Sequence, residues 1–125
     1  MPRRVHWDDI DIIRYWYELR NIPLPERLPL PPMGLIVDDT AACFLYLTDG
    51  GIALIEGLIT NPKAPLFKRY SACNDIIKRL ANLAIAKGYK KILGLTQDAG
   101  TMKRVQRLGF RDLGLFHLVT LEAHN

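Results

Sequence analysis

The stretch that decides the fold is Ile52-Ala53-Leu54-Ile55-Glu56-Gly57-Leu58-Ile59-Thr60, which Asn61-Pro62 ends and a long helical pattern follows. Nine nearly apolar residues between turn signals predict a central strand that is covered on both faces. The helical pattern runs from Ser71 to Lys87 and ends at Gly88, a typical C-terminal cap. A buried strand followed by a long helix indicates a β-α-β crossover with parallel strand pairing.

Two shorter apolar runs lie upstream of this strand. Residues 34–37 and 42–47 predict strands, and Asp49-Gly50-Gly51 predicts a tight hairpin turn because glycine adopts positive φ without strain. Before them, residues 8–20 have apolar side chains at helical spacing, which predicts a helix capped by Asp8 or Asp9. The connector at residues 22–32 contains five prolines, so we expect it to be extended.

The downstream chain repeats the alternation of strand and helix. Residues 91–96 predict a strand, and residues 98–108 predict a helix with Asp98 as its N-cap and Gly109 as its stop. A last strand is expected at about residues 114–121. The predicted fold class is therefore α/β (α+β): a single-domain mixed β-sheet, residues 1–125, flanked by helices on both faces.

Size and composition limit the class of protein. The chain has 125 residues, of which 49% are hydrophobic and 24% charged, as in a soluble globular domain. No apolar run approaches the roughly 20 residues that span a bilayer, and the N-terminal residues do not resemble a signal peptide. Two cysteines, Cys43 and Cys73, are too few for a disulfide scaffold, so we expect free thiols and a cytoplasmic location.

Charge is distributed unevenly along the chain. Residues 63–111 contain twelve basic and two acidic residues, whereas residues 1–62 contain five basic and nine acidic ones. A segment this basic favours an anionic ligand, such as a phosphorylated cofactor, nucleic acid or an acidic membrane surface. A solvated surface that keeps the protein soluble explains the same charge equally well.

The approach to the long helix is the first candidate site. Lys68-Arg69-Tyr70-Ser71-Ala72-Cys73 brings two cations and several small residues to the predicted helix N-terminus, where unpaired N–H groups bind phosphate readily. An ordinary helix start with Ser71 as its N-cap is the alternative. Cys73 is either a thiol of lowered pKa at a helix N-terminus or a small buried residue.

Four motifs follow one another along the chain: Lys68–Cys73, Gly88-Tyr89 at the helix end, Thr96-Gln97-Asp98-Ala99 and Leu108-Gly109-Phe110-Arg111. Together they resemble the GNAT superfamily of N-acetyltransferases. That family has an Arg/Gln-x-x-Gly-x-Gly/Ala loop before its long helix, and its two glycine positions fall on Ser71 and Cys73 here. The resemblance covers residues 33–121 and is greatest to the small, divergent GNAT-like proteins encoded by bacteriophages.

The resemblance implies binding of acetyl-CoA or CoA. It places the pyrophosphate on the N–H groups of residues 69–73, and the pantetheine arm on a central strand where two strands splay apart, with Gly57 suited to a bulge. The resemblance also implies a contact between Asp98 and the cofactor, in addition to its predicted role as a helix N-cap. The implied cofactor-binding residues are Leu58, Ile59, Thr60, Lys68, Arg69, Tyr70, Ser71, Ala72, Cys73 and Asp98.

Acetyl transfer to an amine requires a base, an oxyanion donor and an acid. Glu56 is the candidate base, because it is the one carboxylate in an apolar strand and matches the family's position; a salt-bridged or outward-facing glutamate is the alternative. The resemblance places the oxyanion donor on a backbone N–H near Leu58. The family's usual tyrosine acid falls on Val105, which leaves Tyr70, His117 or a water.

Two function classes follow from these residues. The first is an acetyl-CoA-dependent N-acetyltransferase acting on an amine of a protein or small molecule, and the second is a catalytically degenerate GNAT-fold module that acts by CoA binding or protein–protein contact. Val105, Ser71 and Cys73 favour the second, whereas Glu56 and the basic segment favour the first. Nucleic-acid binding ranks last because no pattern orders the cations along a groove, and the histidine spacing predicts no metal site.

Overall fold

The computed structural model describes residues 1–22, 33–96, 98–114 and 121. The strands are β1 (Arg3–Arg4), β2 (Met33–Val37), β3 (Ala41–Leu47), β4 (Ile52–Thr60) and β5 (Lys91–Gly94). The helices are α1 (Ile10–Leu19), which follows a 3-10 turn at Trp7–Asp9, α2 (Leu66–Ala86) and α3 (Ala99–Arg107). The predicted strand β4 is confirmed with the same bounds.

The strands of the described part form one sheet in the order β1-β2-β3-β4-β5. Neighbours from β1 to β4 pair antiparallel, whereas β4 and β5 pair parallel and are joined through α2. The turn between β3 and β4 holds Gly51 at φ +81°, a conformation that glycine adopts without a steric penalty. The predicted mixed sheet is thus confirmed.

Helices cover both faces of the sheet. On one face, α2 buries its apolar stripe against β2, β3 and β4, and Val105 of α3 and the following Leu108 pack against the same core. On the other face, Ile13 and Trp16 of α1 are fully buried against Ile36, Ala42, Phe44 and Ile59. The expectation of helices on both faces is therefore confirmed.

A β-bulge interrupts β4 where the sequence has glycine. Phe44 pairs with Glu56 and Ala42 pairs with Ile59, so two residues of β4 stand opposite the single Cys43. Gly57 has φ +75°, the left-handed conformation typical of the first residue of such a bulge. Because the extra residue reverses the alternation of side chains, Glu56 and Ile59 lie on the same α1-facing side of the sheet.

The start of α2 differs from the expectation. The helix begins at Leu66 with Pro65 at the N-cap, so the predicted helix start at Ser71 is wrong. No glycine or proline interrupts residues 66–73, and leucine, lysine, arginine and alanine favour helix. Proline suits a helix start because its fixed φ is already helical and it has no N–H to satisfy.

Smaller differences concern the two ends of the chain. Asp9 does not cap α1 through its side chain; its carboxylate instead accepts hydrogen bonds from the His6 N–H at 2.7 Å and from both terminal nitrogens of Arg3. The short strand β1 was not predicted, because two arginines carry no strand pattern. The expected last strand lies outside the described residues, apart from its two ends.

Candidate active site

Glu56 lies on the α1-facing side of β4, immediately before the bulge. Its cross-strand partner is Phe44, and the next pair on that face is Tyr46 with Leu54. The Glu56 side chain is exposed and has no ion pair or hydrogen bond within the described residues. A carboxylate with nothing to neutralise it is available to accept a proton from a ligand.

Two tyrosines flank this carboxylate. The Tyr17 hydroxyl lies 3.9 Å from the position that a Cβ atom on Gly57 would take, so it overhangs the bulge. Desolvation raises the pKa of Tyr17, and the charge of Glu56 contributes to the same rise. Desolvation and the Glu56 charge also raise the pKa of Tyr46. Both phenols therefore remain protonated beside Glu56 at neutral pH.

Beyond the bulge, one edge of β4 has no strand beside it among the described residues. The parallel ladder ends at the pair Ile55–Gly94, while β4 continues to Thr60. This gap is where the predicted cofactor residues Leu58, Ile59 and Thr60 lie. At its far end, the Arg20 Nε donates to the Thr60 carbonyl at 2.9 Å, and the Arg20 Nη2 binds the Thr60 hydroxyl.

The predicted phosphate loop is a helix in the structure. The Arg69 N–H donates to the Pro65 carbonyl at 3.1 Å, and later N–H groups of α2 pair in the same way along the helix. The N–H groups left without a partner in the described structure belong to Leu66, Phe67 and Lys68. A phosphate at this helix end would therefore lie nearer Pro65 than the sequence indicated.

Side chains of the same segment divide between the core and the surface. Ala72 and Cys73 are buried in the core between α2 and the sheet, whereas Lys68, Tyr70 and Ser71 are exposed. Arg69 is half-buried, and its Nε atom is buried without a hydrogen-bond partner among the described residues; the same is true of the Asn74 Oδ1 atom. Such orphaned polar atoms are uncommon and often mark a site that a ligand or water completes.

Cys73 is a buried thiol in the second turn of α2. Desolvation raises its pKa, although the nearby charges of Arg104, Arg20 and Arg69 oppose the rise. Burial raises the pKa of Cys43 to about 12, and its Sγ donates to the Glu56 carbonyl at 3.3 Å. Of the two sequence alternatives, the structure favours a buried core thiol.

Asp98 is the N-cap of α3, as predicted. Its Oδ2 atom accepts hydrogen bonds from the Thr101 N–H at 2.8 Å and the Thr101 hydroxyl at 2.6 Å. These bonds lower the pKa of Asp98, and the charge of Arg104 adds to the effect. A contact between Asp98 and a cofactor would have to use the other carboxylate oxygen.

Several other features lie away from Glu56. Two surface pockets, of about 240 and 330 Å³, are lined by residues around Tyr89 and around Arg79. Within the described chain, no three His, Cys, Asp or Glu side chains gather in a way that could hold a metal ion. No helix described here is long and apolar enough to cross a membrane. His117, one candidate acid, lies outside the described residues.

Sequence reasoning missed four residues around the site. Tyr46 could have been placed beside Glu56, because the alternation along β3 and β4 puts both on one face. Tyr17 reaches the bulge only because α1 packs over this face of the sheet. Arg20 and Arg104 had no signal, since their positions depend on where α1 and α3 pack.

The fold is shared with solved acetyltransferases. A Trypanosoma brucei acetyltransferase matches with a TM-score of 0.69 and 15% identity, over 97% of this chain and 99% of its own. A GNAT-family acetyltransferase of Streptococcus pneumoniae matches with a TM-score of 0.68 and 13% identity, over 99% and 98%. The aminoglycoside N-acetyltransferase AAC(6')-Iy in complex with CoA matches with a TM-score of 0.64 and 14% identity, over 98% and 100%.

The fold is that of the GNAT acetyltransferases. Comparison with protein-family models finds no match, and neither does comparison with curated protein sequences. In this GNAT fold, β4 and β5 are the parallel pair whose carboxyl ends open the gap beside Leu58. Ligands of sheets with parallel strands bind at such carboxyl ends, which is the edge that also carries the start of α2.

Proposed function

We propose that this chain is an acetyl-CoA-dependent N-acetyltransferase that acts, as a single domain over residues 1–125, on an amine of a protein or small molecule. One observation carries the proposal: Glu56, a carboxylate without a partner in the described structure, stands at a bulge beside the open edge of β4. This arrangement occurs in a fold shared with acetyltransferases, one of which was solved with CoA.

The open edge of β4 suits the amide-containing arm of acetyl-CoA. The backbone of Leu58, which the bulge leaves unpaired with β3, has no β5 residue beside it and would offer a donor and an acceptor to an amide of pantetheine, whereas Ile59 is paired with Ala42 of β3. Thr60 has its carbonyl and hydroxyl bound by Arg20, so its N–H is what remains for a ligand. Lys68 and Arg69 would supply positive charge through their side chains.

Acetyl-CoA supplies a thioester whose carbonyl carbon the amine attacks and whose thiolate leaves. Glu56 would take the proton that the ammonium group loses, directly or through a water, and later release it to solvent. A backbone N–H near Leu58, where the bulge leaves one β4 residue unpaired with β3, would donate to the oxyanion. The nitrogen gains the acetyl group and gives up a second proton to solvent, and the departing sulfur takes a proton.

The proton that the departing sulfur takes has no dedicated donor in this chain. Val105 packs against the core and carries no acidic hydrogen, so the family's usual acid is missing. Tyr70 is the described candidate, and its ring lies under the Arg104 guanidinium at 4.3 Å. We expect slow turnover, because a proton that passes through Tyr70 or a water is less well placed than one from a dedicated acid.

The alternative function is a GNAT-fold module without catalysis. It is favoured by the helical conformation of residues 69–73, whose N–H groups were expected to hold a pyrophosphate and are instead paired along the helix. Such a module would bind CoA weakly or bind a protein partner instead. The similarity to bacteriophage proteins and the cytoplasmic location stay predictions from the sequence.

Thermal unfolding in the presence of acetyl-CoA or CoA, followed by an acetylation assay, tests the proposal. Ligand at about 100 times its dissociation constant should stabilise the fold by roughly 2.7 kcal/mol. The assay should include a polyamine, a lysine peptide and an aminoglycoside, since one structural neighbour was solved with a bisubstrate analogue of an acetylneamine. Absence of any thermal shift at millimolar CoA would refute cofactor binding, and binding without acetylation would favour the alternative.

A further inference from the structure

One side of the β3–β4 hairpin carries a single charged residue. Side chains alternate along each strand, so the α1-facing side between the turn and the bulge holds Phe44 and Tyr46 of β3 with Ile52, Leu54 and Glu56 of β4. Glu56 is the only charged residue among these five. We call this group of five side chains the hairpin face.

The neighbours of Glu56 on the hairpin face are aromatic or aliphatic. Phe44 is directly opposite, a pairing that separates Cβ atoms by about 5 Å, and Tyr46 is the diagonal neighbour at roughly 7–8 Å. Leu54 is two residues earlier on β4, about 7 Å away along the strand. The Tyr17 hydroxyl of α1 lies over the bulge that follows Glu56.

Helix α1 covers only the bulge end of the hairpin face. Phe44 is buried beneath α1, with 4% of its surface exposed, whereas Tyr46, Ile52 and Leu54 are half-buried and Glu56 is exposed. Within the described chain, apolar and aromatic surface is therefore open beside one carboxylate. An apolar group that packs there removes this surface from water, which favours binding.

The carboxylates of α1 point away from the hairpin face. Asp11 and Glu18 are exposed and seven residues apart, so they share one stripe of the helix. That stripe lies opposite the buried Ile13 and Trp16, which face the sheet. Beyond the bulge, the charged side chain that α1 brings to β4 is a cation, Arg20. Among the described residues of α1, β3 and β4, Glu56 is thus the one carboxylate on this side of the hairpin.

A single ammonium group fits between Glu56 and the two tyrosines. Its three N–H bonds can pair with the carboxylate and with the hydroxyl oxygens of Tyr17 and Tyr46, and the faces of phenol rings attract a cation. A second ammonium group a few carbons away would lie over Leu54 or Ile52. It would lose water there without gaining a counter-ion, which costs free energy.

We propose that the acceptor of this site is a primary amine with one positive charge and an apolar body, rather than a polyamine or an aminoglycoside. The ammonium group lies on Glu56 and the carbon skeleton packs on Tyr46 and Leu54, so these two side chains determine specificity. The inference rests on the proposed function, which supplies the acetyl group that such an amine would receive.

Matched amines test the charge and the apolar body separately. Butylamine and putrescine share a four-carbon chain and differ by the second amino group, while phenethylamine adds a ring. Binding is titrated by NMR without cofactor and again with CoA, which has no acetyl group to transfer, and kcat/KM is measured with acetyl-CoA. Butylamine and phenethylamine should bind roughly tenfold more tightly than putrescine, because the second ammonium of putrescine meets no carboxylate on the hairpin face.

Leu54→Glu tests the specificity determinant directly. It adds a second carboxylate next to Glu56 on the hairpin face, so putrescine should then bind at least as tightly as butylamine. Gln106→Glu adds the same charge at an exposed position of α3, which packs on the other side of the sheet, and should leave the preference unchanged. Glu56→Gln should weaken binding of each amine roughly tenfold, because a hydrogen bond to a charged group is lost. If Leu54→Glu does not fold, Ile52→Glu makes the same test two residues earlier on the same face.

The outcomes separate this inference from the proposed function. Tighter binding or faster acetylation of putrescine or an aminoglycoside by the parent protein would overturn it, and so would an unchanged preference in a folded Leu54→Glu variant. Butylamine binding that depends on Glu56, without acetyl transfer, would keep the amine site and refute the enzyme. Acetylation confined to polycationic amines would keep the enzyme and refute the apolar acceptor.

Discussion

Phe44 and Glu56 face each other across the β3–β4 ladder, and the register shifts by one residue directly after them. The Phe44 ring lies within 3.1 Å of where a Cβ atom on Gly57 would be, so it covers the bulge that aims Glu56. The position of the candidate base thus depends on a glycine and an aromatic ring from a neighbouring strand.

Glu56→Gln should reduce acetylation by about 10² to 10⁴-fold, the range for a positioned acid–base group. The amide has nearly the same shape but cannot take the amine's proton, so CoA affinity and melting temperature should stay unchanged. Steady-state kinetics with a responsive amine measures the effect. Asp49→Asn, at the exposed β3–β4 turn, is the control and should keep full activity. An unchanged acetylation rate in Glu56→Gln would show that Glu56 is not the base.

Gly57→Ala should destabilise the protein by about 1–2 kcal/mol, the cost of the left-handed conformation for a residue with a Cβ atom. The contact with Phe44 adds to that cost. Urea denaturation measures the change. Gly50→Ala is a matched control in the β3–β4 turn, because it has no positive φ and its nearest neighbour would be 3.9 Å away. Equal effects of the two substitutions would contradict the strained bulge.

Asp9→Asn should make the free energy of unfolding fall less steeply as the pH is lowered. Hydrogen bonds from Arg3 lower the pKa of Asp9 in the folded protein below its value in the unfolded chain. The stability that this gives is complete above the unfolded pKa, near 3.9, and is lost as pH falls through the folded pKa. Urea melts between pH 6 and pH 2 test this. Asp11→Asn changes an exposed residue of α1 and should keep the wild-type slope of unfolding free energy against pH. The same slope in Asp9→Asn would refute the link between the Asp9 pKa and stability.

Both thiols should react slowly with an aromatic disulfide reagent at pH 8. Cys43 and Cys73 are buried, and burial raises the pKa of each, so little thiolate is present or accessible. The coloured thiolate that the reagent releases is followed by absorbance, and two equivalents per chain should appear quickly only in denaturant. The variants Cys43→Ser and Cys73→Ser show which cysteine releases each equivalent. Fast labelling of Cys73 in the folded protein would show that the first turns of α2 open.

Duplex DNA should bind weakly and lose affinity steeply with salt. The twelve cations of residues 63–111 lie on several elements, and no pattern orders them along one groove. Non-specific contacts of this kind give dissociation constants of roughly 10⁻⁴ to 10⁻⁶ M. Fluorescence anisotropy over a salt series measures them. Sub-micromolar binding of one sequence at physiological salt would instead support a nucleic-acid function.

The sequence by itself determined the elements and their ends where local chemistry is strong. The bounds of β4, the cap at Asp98, and the stops at Gly88 and Gly109 follow from apolar runs, a capping side chain and positive φ angles of +94° and +103°. These features depend on residues within a few positions of one another. The bulge at Gly57 also belongs here, since glycine in an apolar strand signals it.

Only the tertiary structure decided where α2 begins and which side chains meet. Residues 66–73 favour a helix by local propensity but do not show whether it starts at Leu66 or at Ser71, and the packing of Ala72 and Cys73 in the core goes with the longer helix. Arg20 meets Thr60 and Arg104 meets Tyr70 across long sequence separations, so no pattern along the chain could show these contacts. The physical reason is that charge and burial at a site are sums over neighbours in space, which only the packing of α1, α2 and α3 on the sheet defines.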